Sequence, residues 1–299
     1  MPSDEWCDWF AGFVEGEGCF YIHTQGSPRF TIKLREDDKR ILEEICSALQ
    51  VGSVSFVSRQ RDRDRGRKSK DQFYFRVSGP NCLKVVEVLE GRMHSKKTND
   101  FELWAQAVRA SVALGPNRHP DRKAMMLKYK AKIDATRKSF YADGQLFESE
   151  NKNAITDNWL SGFSDAEACF MVDHAGCPKI VISLRGDDQH ILTQIQSKLG
   201  VGSVSFESKQ YMRNKGVATK DAYTLSLWGP NCLKVVNALE GKMRSKKVND
   251  FEIWARAVRA TVALNSRRHP DRKPMMLKYK AELEACRKSF YANERKELV

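Results

Sequence analysis

Two short stretches of the chain place acidic residues where they could bind a divalent cation. Residues 10–20 contain Glu15 and Glu17 just before a Cys-Phe step, and residues 160–170 contain Asp165 and Glu167 at the same spacing. Because residues two apart on a helix point to nearly opposite sides, only one acid of each stretch can reach a shared site. Two carboxylates that meet opposite a polyanion would repel each other unless a divalent cation lay between them. Such hard oxygen ligands suit Mg2+.

The chemistry that follows from this arrangement is metal-assisted hydrolysis of phosphodiesters, in which the metal activates water and stabilises the leaving oxygen. The alternative is structural, because acids near a helix end also cap helices or join ion-pair networks with lysines. Spacing alone does not decide between these two interpretations.

Both stretches also carry small residues at helical spacing, which predicts two closely packed helices. Gly12 and Gly16 lie four apart in the first stretch, as do Gly162 and Ala166 in the second. Positions four apart share one helix face, so each helix presents a nearly bare strip of backbone. Strips of this kind allow two helices to approach closely. We therefore expect the two copies to pack against each other and to bring two acids side by side.

The two stretches belong to an internal duplication that aligns without a gap at a constant offset of 150 residues. Roughly three-quarters of positions 79–142 are identical to those 150 later, whereas positions 21–78 match much less well. We predict a first repeat at 1–142, a linker at 143–155 and a second repeat at 156–299, related by a pseudo-two-fold axis like a homodimer fused into one chain. Two different variable surfaces suit an asymmetric ligand. Drift at exposed strand positions is the alternative.

Composition favours a polyanionic partner and argues against a membrane protein. The formal net charge is +13 and the pI is about 9.4, which suggests nucleic acid. No segment has the run of about 18 apolar residues that a membrane span needs. The eight cysteines form no Cys-x-x-Cys pair, so we expect reduced thiols. The acidic N-terminus lacks the features of a signal peptide, and we expect an intracellular, non-secreted protein.

Hydrophobic periodicity predicts the same series of elements in each repeat. A helix ending near Gly18 is followed by a hairpin over 19–23 and 29–35, a helix through Leu49, and a second hairpin over 53–58 and 72–78. Three helices follow, at 81–89, 100–114 and 123–140; Asn99 and Glu102 have capping-box spacing at the start of the middle one. This order predicts an α+β fold with a four-stranded antiparallel sheet in each repeat. Helices cover its apolar face, and its polar face is left open.

The open face and its basic connecting loop carry side chains that hydrogen-bond bases and phosphates. A β-sheet of this kind could lie along the major groove, although mixed charge on an exposed sheet can also serve solubility alone. In the first repeat the candidates are Tyr21, His23, Gln25, Arg29, Thr31, Lys33, Arg35, Arg59, Arg61, Arg65, Lys68, Lys70, Gln72, Tyr74 and Arg76. In the second they are Lys179, Ser183, Arg185, Lys209, Tyr211, Arg213, Lys215, Thr224 and Ser226.

The paired stretches, the flanking Trp and Cys-Phe residues and the duplicated αββαββα order resemble the single-chain, two-repeat LAGLIDADG homing endonucleases. The resemblance covers both repeats. It implies that Glu17 and Glu167, the last acids of the two motifs, hold the catalytic metals, with the backbone of Gly16 and Ala166 as further metal contacts. A lysine near the start of a later helix would assist electrostatically.

Lys97 and Lys247 match this lysine best, with Lys96 and Lys246 as alternatives. The sequence departs from the motif at Ala168, where the family has a final glycine. Alanine fits there if the backbone φ angle is negative. The departure leaves the placement of the second acid open.

The resemblance implies a monomeric, site-specific endonuclease whose two saddle sheets bind a long asymmetric duplex. It would use Mg2+ to cut both strands with 3′ overhangs, Mn2+ or Ca2+ substituting in binding. Two alternatives stay open: an RNA maturase that binds intron RNA on the same scaffold, and a non-catalytic DNA-binding regulator. Intact acids in both repeats weigh against the regulator. Synthesis in an organelle (mitochondrion or chloroplast) and in the bacterial cytoplasm are equally allowed.

Overall fold

The computed structural model describes residues 2–66, 69–115, 119–142, 153–216, 221–264 and 269–297. The chain divides into two compact units, Met1–Asn153 and Ala154–Val299. Most of the predicted linker, residues 143–152, lies outside the described residues. Among the described residues, none of the helices combines the length and apolar character needed to cross a bilayer.

The first unit follows the predicted order of elements, with one short helix added. Its elements are α1 (Asp4–Glu17), β1 (Gly18–Ile22), β2 (Pro28–Arg35), α2 (Lys39–Leu49), β3 (Ser53–Val57), α3 (Gln60–Asp64), β4 (Gln72–Ser78), α4 (Cys82–Leu89), α5 (Lys97–Ala113) and α6 (Arg122–Ala142). The added helix α3 lies in the basic connection between β3 and β4.

The second unit repeats this series. Its elements are α7 (Asp157–Glu167), β5 (Ala168–Val172), β6 (Pro178–Arg185), α8 (Gln189–Leu199), β7 (Ser203–Glu207), α9 (Gln210–Asn214), β8 (Ala222–Trp228), α10 (Leu233–Leu239), α11 (Lys247–Ala263) and α12 (Arg272–Glu297).

Each unit contains one four-stranded antiparallel sheet, ordered β1-β2-β4-β3 in the first unit and β5-β6-β8-β7 in the second. Paired residues in neighbouring strands share a face, and that face alternates along each strand. The predicted α+β fold with two antiparallel sheets is therefore confirmed.

Aromatic side chains form the contact between the inner face of each sheet and its helices. The Phe20 ring lies 5.3 Å from Phe30 and 5.0 Å from Trp104 on α5, between ring centroids. In the second unit Phe170 lies 5.0 Å from Trp254 on α11. Such pairs add packing energy beyond their buried area. They fix α5 and α11 against the strands that follow the two motif helices.

The start of α5 differs from the prediction. The proposed capping box at Asn99 and Glu102 is wrong, because α5 begins at Lys97. Ser95 sets this start: its hydroxyl oxygen accepts from the Lys97 backbone N–H at 3.2 Å, and its carbonyl accepts from the Thr98 hydroxyl at 2.6 Å. A serine hydroxyl that accepts from a backbone N–H at a helix start supplies a partner for one of the exposed donors there. The result places Lys97 in the first turn.

Candidate active site and nucleic-acid interface

Each motif acid is the last residue of a helix that runs directly into the first strand of its sheet. Helix α1 begins after Ser3, whose hydroxyl accepts from the Trp6 backbone N–H at 3.3 Å, and it ends at Glu17. Helix α7 begins after Thr156, whose hydroxyl accepts from the Trp159 N–H at 3.0 Å, and it ends at Glu167. Both acids are partly exposed. Since no loop intervenes, each carboxylate is fixed by the packing of both elements.

The carboxyl end of a helix carries partial negative charge, so a carboxylate there needs a nearby cation. Lys97 supplies one in the first unit: its ammonium donates to the carbonyl oxygens of Gly16 at 2.9 Å and Val14 at 3.2 Å. In the second unit the Lys247 ammonium donates to the Ala166 carbonyl at 2.7 Å. The structure thus brings Lys97 and Lys247 to the residues that precede the motif acids.

The neighbouring lysines have a different environment. The ammonium nitrogens of Lys96 and Lys246 are buried, whereas Lys97 and Lys247 make the hydrogen bonds to the motif helices described above. The structure thus places the Lys97 and Lys247 ammonium groups against the carbonyls that precede the motif acids. Their catalytic role stays a prediction.

The other acid of each motif holds the segment that carries this lysine. The Glu15 carboxylate is buried and accepts from the backbone N–H groups of His94 and of Ser95, the latter at 2.6 Å. Asp165 accepts from the N–H groups of Arg244 at 2.8 Å and Ser245 at 3.1 Å. Both acids thus tie a motif helix to the chain just before α5 or α11. Glu15 and Asp165 thus support the segments that carry Lys97 and Lys247.

Burial dominates the protonation of Glu15. Removal of the carboxyl group from water raises its pKa to about 7, against the opposing effect of the hydrogen bonds from Ser95 and His94 and of the Lys97 charge. A buried carboxylate loses the hydration that stabilises its charged form. Glu15 therefore lies inside the protein as a structural acid, while Glu17 lies at the partly exposed end of the same helix.

The second motif accommodates Ala168 without backbone strain. Gly18 has φ −76° and Ala168 has φ −74°, so neither position requires glycine for its backbone. The obstacle in the first unit is space, because a Cβ atom at Gly18 would lie 2.6 Å from Cγ1 of Val14. The residue that corresponds to Val14 is the smaller Ser164. Alanine at 168 is thus matched to a smaller neighbour, and α7 ends one residue before it as α1 ends before Gly18.

The donors offered by each motif fit a hard divalent cation. Glu17 and Glu167 offer carboxylate oxygens, and the carbonyls of Gly16 and Ala166 keep a second lone pair beside the bond from lysine. In the part of the chain that the structure describes, no group of three or more His, Cys, Asp and Glu side chains forms a metal cage. Few protein ligands, with water and phosphate for the rest, are what Mg2+ prefers. The metal-ligand roles of these four residues stay predictions.

The strand registers place most of the predicted contact residues of the first unit in rows on one sheet face. One row joins Lys33 to Tyr74 and Ser55, and another joins Arg35 to Gln72 and Val57. Tyr21 and Arg29 share a row with Ser78, and Arg76 pairs with Thr31 and Ser53. His23 and Gln25 lie in the turn after β1 rather than in a strand. The polar open face is thus continuous across all four strands.

Two of the predicted DNA contacts, Thr31 and Ser226, were expected on the open face, but their side chains are buried. Thr31 is 1% exposed and Ser226 is 5% exposed. Both lie on inner strands, where a paired strand flanks each residue on both sides. They belong to the predicted face by register but present little surface to a ligand.

The basic connection of the first unit is partly engaged by the sheet itself. Arg59 donates to the Gln72 side-chain oxygen at 2.7 Å and to the Tyr74 hydroxyl at 3.0 Å. Arg63 pairs with Asp71 at 2.9 Å, and this pairing holds the Asp71 pKa below its usual range. Arg61, Arg65 and Lys70 are exposed. Lys68 lies outside the described residues.

The second unit keeps the same scaffold with different side chains. Arg213 pairs with Asp221 at 2.8 Å, as Arg63 does with Asp71, and Lys209 pairs with Glu207. Ser183 and Thr224 bond through their hydroxyls at 3.0 Å. The other predicted contacts are partly or well exposed: Lys179, Arg185, Tyr211 and Lys215.

Sequence reasoning missed part of the open face. Ser53 and Ser55 on β3 share rows with predicted residues, and Cys19 starts the face two residues after Glu17. In the second unit it missed Met171, Val181 and Trp228. The period-two alternation contained this information, because positions two apart on a strand share a face whatever their residue type.

Comparison with known proteins places the chain in one family. The sequence profile of the LAGLIDADG endonuclease family matches residues 10–108 and again residues 160–258, and the chain belongs to this family. Both matches include the carboxyl end of the motif helix, the sheet and the lysine described above.

Named relatives are similar in sequence, and a solved structure is similar in fold. Probable intron-encoded endonuclease 4 of Neurospora crassa is 30% identical over 173 residues, 57% of this chain. Probable intron-encoded endonuclease Cox1-I1b of Schizosaccharomyces pombe is 24% identical over 271 residues, 84% of this chain. The matches cover 25% and 63% of those proteins, respectively. The LAGLIDADG meganuclease I-AabMI bound to uncleaved DNA has a TM-score of 0.68 at 18% identity, over 92% of this chain and 98% of that one.

Proposed function

We propose that this protein is a site-specific DNA endonuclease that hydrolyses a phosphodiester in each strand of a long asymmetric duplex. One observation carries the proposal. Each unit ends its motif helix on an acid, bonds a lysine to the carbonyl just before that acid, and begins an open sheet face two residues later. A bound polyanion would therefore extend directly from a reading surface to a carboxylate and a cation.

Divalent-metal dependence is a general property of LAGLIDADG endonucleases, and Mg2+ is the metal we infer here. Glu17 and Glu167 would hold it through carboxylate oxygens, with the carbonyls of Gly16 and Ala166 nearby. A bound Mg2+ would activate water and stabilise the leaving oxygen. The supporting observation is the donor chemistry: one carboxylate and one carbonyl per motif leave room for water and phosphate oxygens.

The protein's own groups have distinct tasks in this proposal. Lys97 and Lys247 offset the negative charge that develops on the scissile phosphate, because a fixed cation in a partly water-excluded site stabilises such charge. Glu15 and Asp165 position these lysines through the backbone before α5 and α11. Each unit supplies one acid and one lysine, which assigns one strand of the duplex to each unit. We infer that the product has 3′ overhangs and that the enzyme acts as a monomer.

The setting follows from the relatives. Both named relatives are described as intron-encoded endonucleases, and we infer that this chain is likewise encoded within an intron. Synthesis in a mitochondrion, a chloroplast or a bacterium fits this inference. Placement of the two motif helices against each other stays a prediction from the sequence.

The proposal is tested by cleavage of a randomised duplex library with Mg2+ and by sequencing both ends of each product. We expect a single long target cut in both strands, and we expect Glu17→Gln and Glu167→Gln to abolish that product. Glu43→Gln is a matched control, because Glu43 is an exposed glutamate on α2 that pairs with Lys39. Tight duplex binding without product in Mg2+ or Mn2+ would refute the nuclease proposal and favour the regulator. Stronger binding to structured intron RNA than to any duplex would favour the maturase.

A further inference from the structure

The two open sheet faces differ in charge although their backbones correspond residue by residue. Among the described strand residues, the face of the first unit carries four cations and no carboxylate: Arg29, Lys33, Arg35 and Arg76. The face of the second unit carries two cations and one carboxylate: Lys179, Arg185 and Glu207. The positions of Lys33 and Arg76 are occupied by Ser183 and Ser226.

Apolar side chains appear on the second face where the first is polar. Met171, Lys179 and Trp228 form one row across β5, β6 and β8, and Val181 lies in the next row between Cys169 and Ser226. Trp228 is 43% exposed, and Met171 and Val181 are partly exposed. In the first unit, Tyr21 corresponds to Met171, Ser78 to Trp228 and Thr31 to Val181.

The polar groups around this apolar patch favour a nucleic acid over a protein as its ligand. The Lys179 ammonium lies 5.3 Å from the Trp228 ring centroid, and exposed hydroxyls of Ser183 and Ser205 lie in the row beside Val181's row. Charged residues are depleted at the centre of protein interfaces, whereas a cation among hydroxyls fits a phosphate-bearing ligand. Apolar side chains beside such a cation suit a part of the duplex that is itself apolar.

In the major groove that part is the C5-methyl group of thymine, which apolar side chains contact; guanine instead presents two acceptors to arginine or lysine. Resting on the proposed DNA cleavage, we propose that the second unit reads a thymine-rich half-site through Met171, Val181 and Trp228. The first unit reads a guanine-containing half-site and supplies most of the salt-dependent binding. The two halves of the target thus differ in base composition, and the chemistry of the two sheet faces sets which unit binds which half.

The test replaces each thymine of the target selected above, one at a time, by deoxyuridine, which pairs identically and lacks only the methyl group. We expect equilibrium binding to weaken roughly fourfold for each contacted methyl group, at several thymines in one half-site. Val181→Ser and Trp228→Ser should remove that sensitivity at particular positions while leaving the others unchanged, which identifies the half-site that the second unit reads. Trp228→Ser copies Ser78 of the first unit at a side chain that is 43% exposed, so it carries the test if the Val181 variant does not fold.

The first unit provides the reciprocal arm. Lys33→Ser copies Ser183; it should leave deoxyuridine sensitivity unchanged and reduce the slope of log affinity against log salt by about 1. Lys128→Ser, at an exposed lysine on α6 outside both sheets, is the matched control for the salt measurement. Tolerance of deoxyuridine at every thymine, or sensitivity that Val181 and Trp228 variants do not alter, would overturn the inference while cleavage stands. Loss of target-specific cleavage by the wild type would instead overturn the proposed function.

Discussion

The Lys97 ammonium donates to the carbonyl oxygen of Gly16 at 2.9 Å, one residue before Glu17 in the chain. Lys247 makes the same bond to Ala166 at 2.7 Å. Each bond neutralises the negative end of a motif helix and holds a cation beside the motif acid. The lysine therefore steadies the junction of helix and strand, and in the proposed function it also offers charge to a bound phosphate.

Replacement of one lysine should slow the cutting of one strand. We expect Lys97→Met or Lys247→Met to lower the single-turnover rate for one strand by roughly 100- to 1,000-fold, because a fixed electrostatic donor contributes about this much. Supercoiled plasmid carrying the target measures it, since nicked circles would accumulate before linear product. Lys128→Met, on the exposed side of α6, is the control. Equal slowing of both strands would contradict the assignment of one lysine to one strand.

Glu15 should make stability depend on pH. Its pKa is raised to about 7 by burial, so the folded state binds this proton more tightly than the unfolded state does. Below the ordinary value of 4.5 both states are protonated and the contribution is complete. It is lost as pH rises from about 4.5 to about 7 and is constant above that, a loss of about 3 kcal/mol.

Urea unfolding of wild type and Glu15→Gln across this window measures the effect. The difference in unfolding free energy between the two proteins should shift against the wild type as the pH rises, because glutamine does not titrate. Glu43→Gln, at an exposed position, should run parallel to the wild type. A wild-type curve parallel to that of Glu15→Gln would show that the carboxyl group titrates alike in both states.

Gly18 and Val14 should be energetically coupled. In Gly18→Ala the new Cβ would lie 2.6 Å from Cγ1 and 2.7 Å from the carbonyl oxygen of Val14, and such overpacking costs about 1–3 kcal/mol. Val14→Ala in the same chain removes Cγ1 and should recover part of that loss. Unfolding free energies of both single variants and the double variant give the coupling. If the losses of the two single variants simply add in the double variant, the steric explanation is wrong. Ala168→Gly makes the reverse change, from alanine to glycine, at the corresponding position of the second unit.

Much of the fold could be predicted from the sequence because its signals are local and periodic. The strand pairs followed from alternation, and the order of elements followed from helical spacing and was read twice in the duplicated chain. The metal-binding role of the motif acids was predicted from the family resemblance. The spacing of these acids alone did not distinguish that role from helix capping. The start of α5 was not predicted, because it depends on a contact between residues far apart in sequence. The Ser95 hydroxyl fixes this start together with the Glu15 carboxylate, which lies 80 residues away from Ser95 in sequence. The burial of Thr31 escaped because alternation gives the face of a side chain but not the reach of its neighbours.

A repeated arginine clamp joins the edge strand to the helices behind it. Arg137 on α6 donates to the Asp100 carboxylate at 2.7 Å and to the carbonyl oxygen of Phe20 on β1 at 2.7 Å. Arg287 makes the same two bonds to Asp250 and Phe170 at 2.6 Å each. Burial raises the pKa of Asp100, whereas the Arg137 charge lowers it. The guanidinium thus stabilises a carboxylate that has lost much of its hydration.

We expect Arg137→Met to lower the unfolding free energy by about 1–3 kcal/mol, because it leaves a partly buried carboxylate without its cation. The unfolding free energy of Arg137→Lys should lie between those of the wild type and Arg137→Met, since an ammonium lacks the planar fork that reaches both acceptors. Arg109→Met is the matched control: Arg109 pairs with Glu90 at 2.6 Å, but both side chains are exposed, so the loss should be within about 1 kcal/mol. Urea denaturation measures all three. If Arg137→Met and Arg109→Met cost the same, the clamp contributes no more than a surface ion pair. Recovery of stability in Arg137→Met combined with Asp100→Asn would locate the cost in the uncompensated carboxylate.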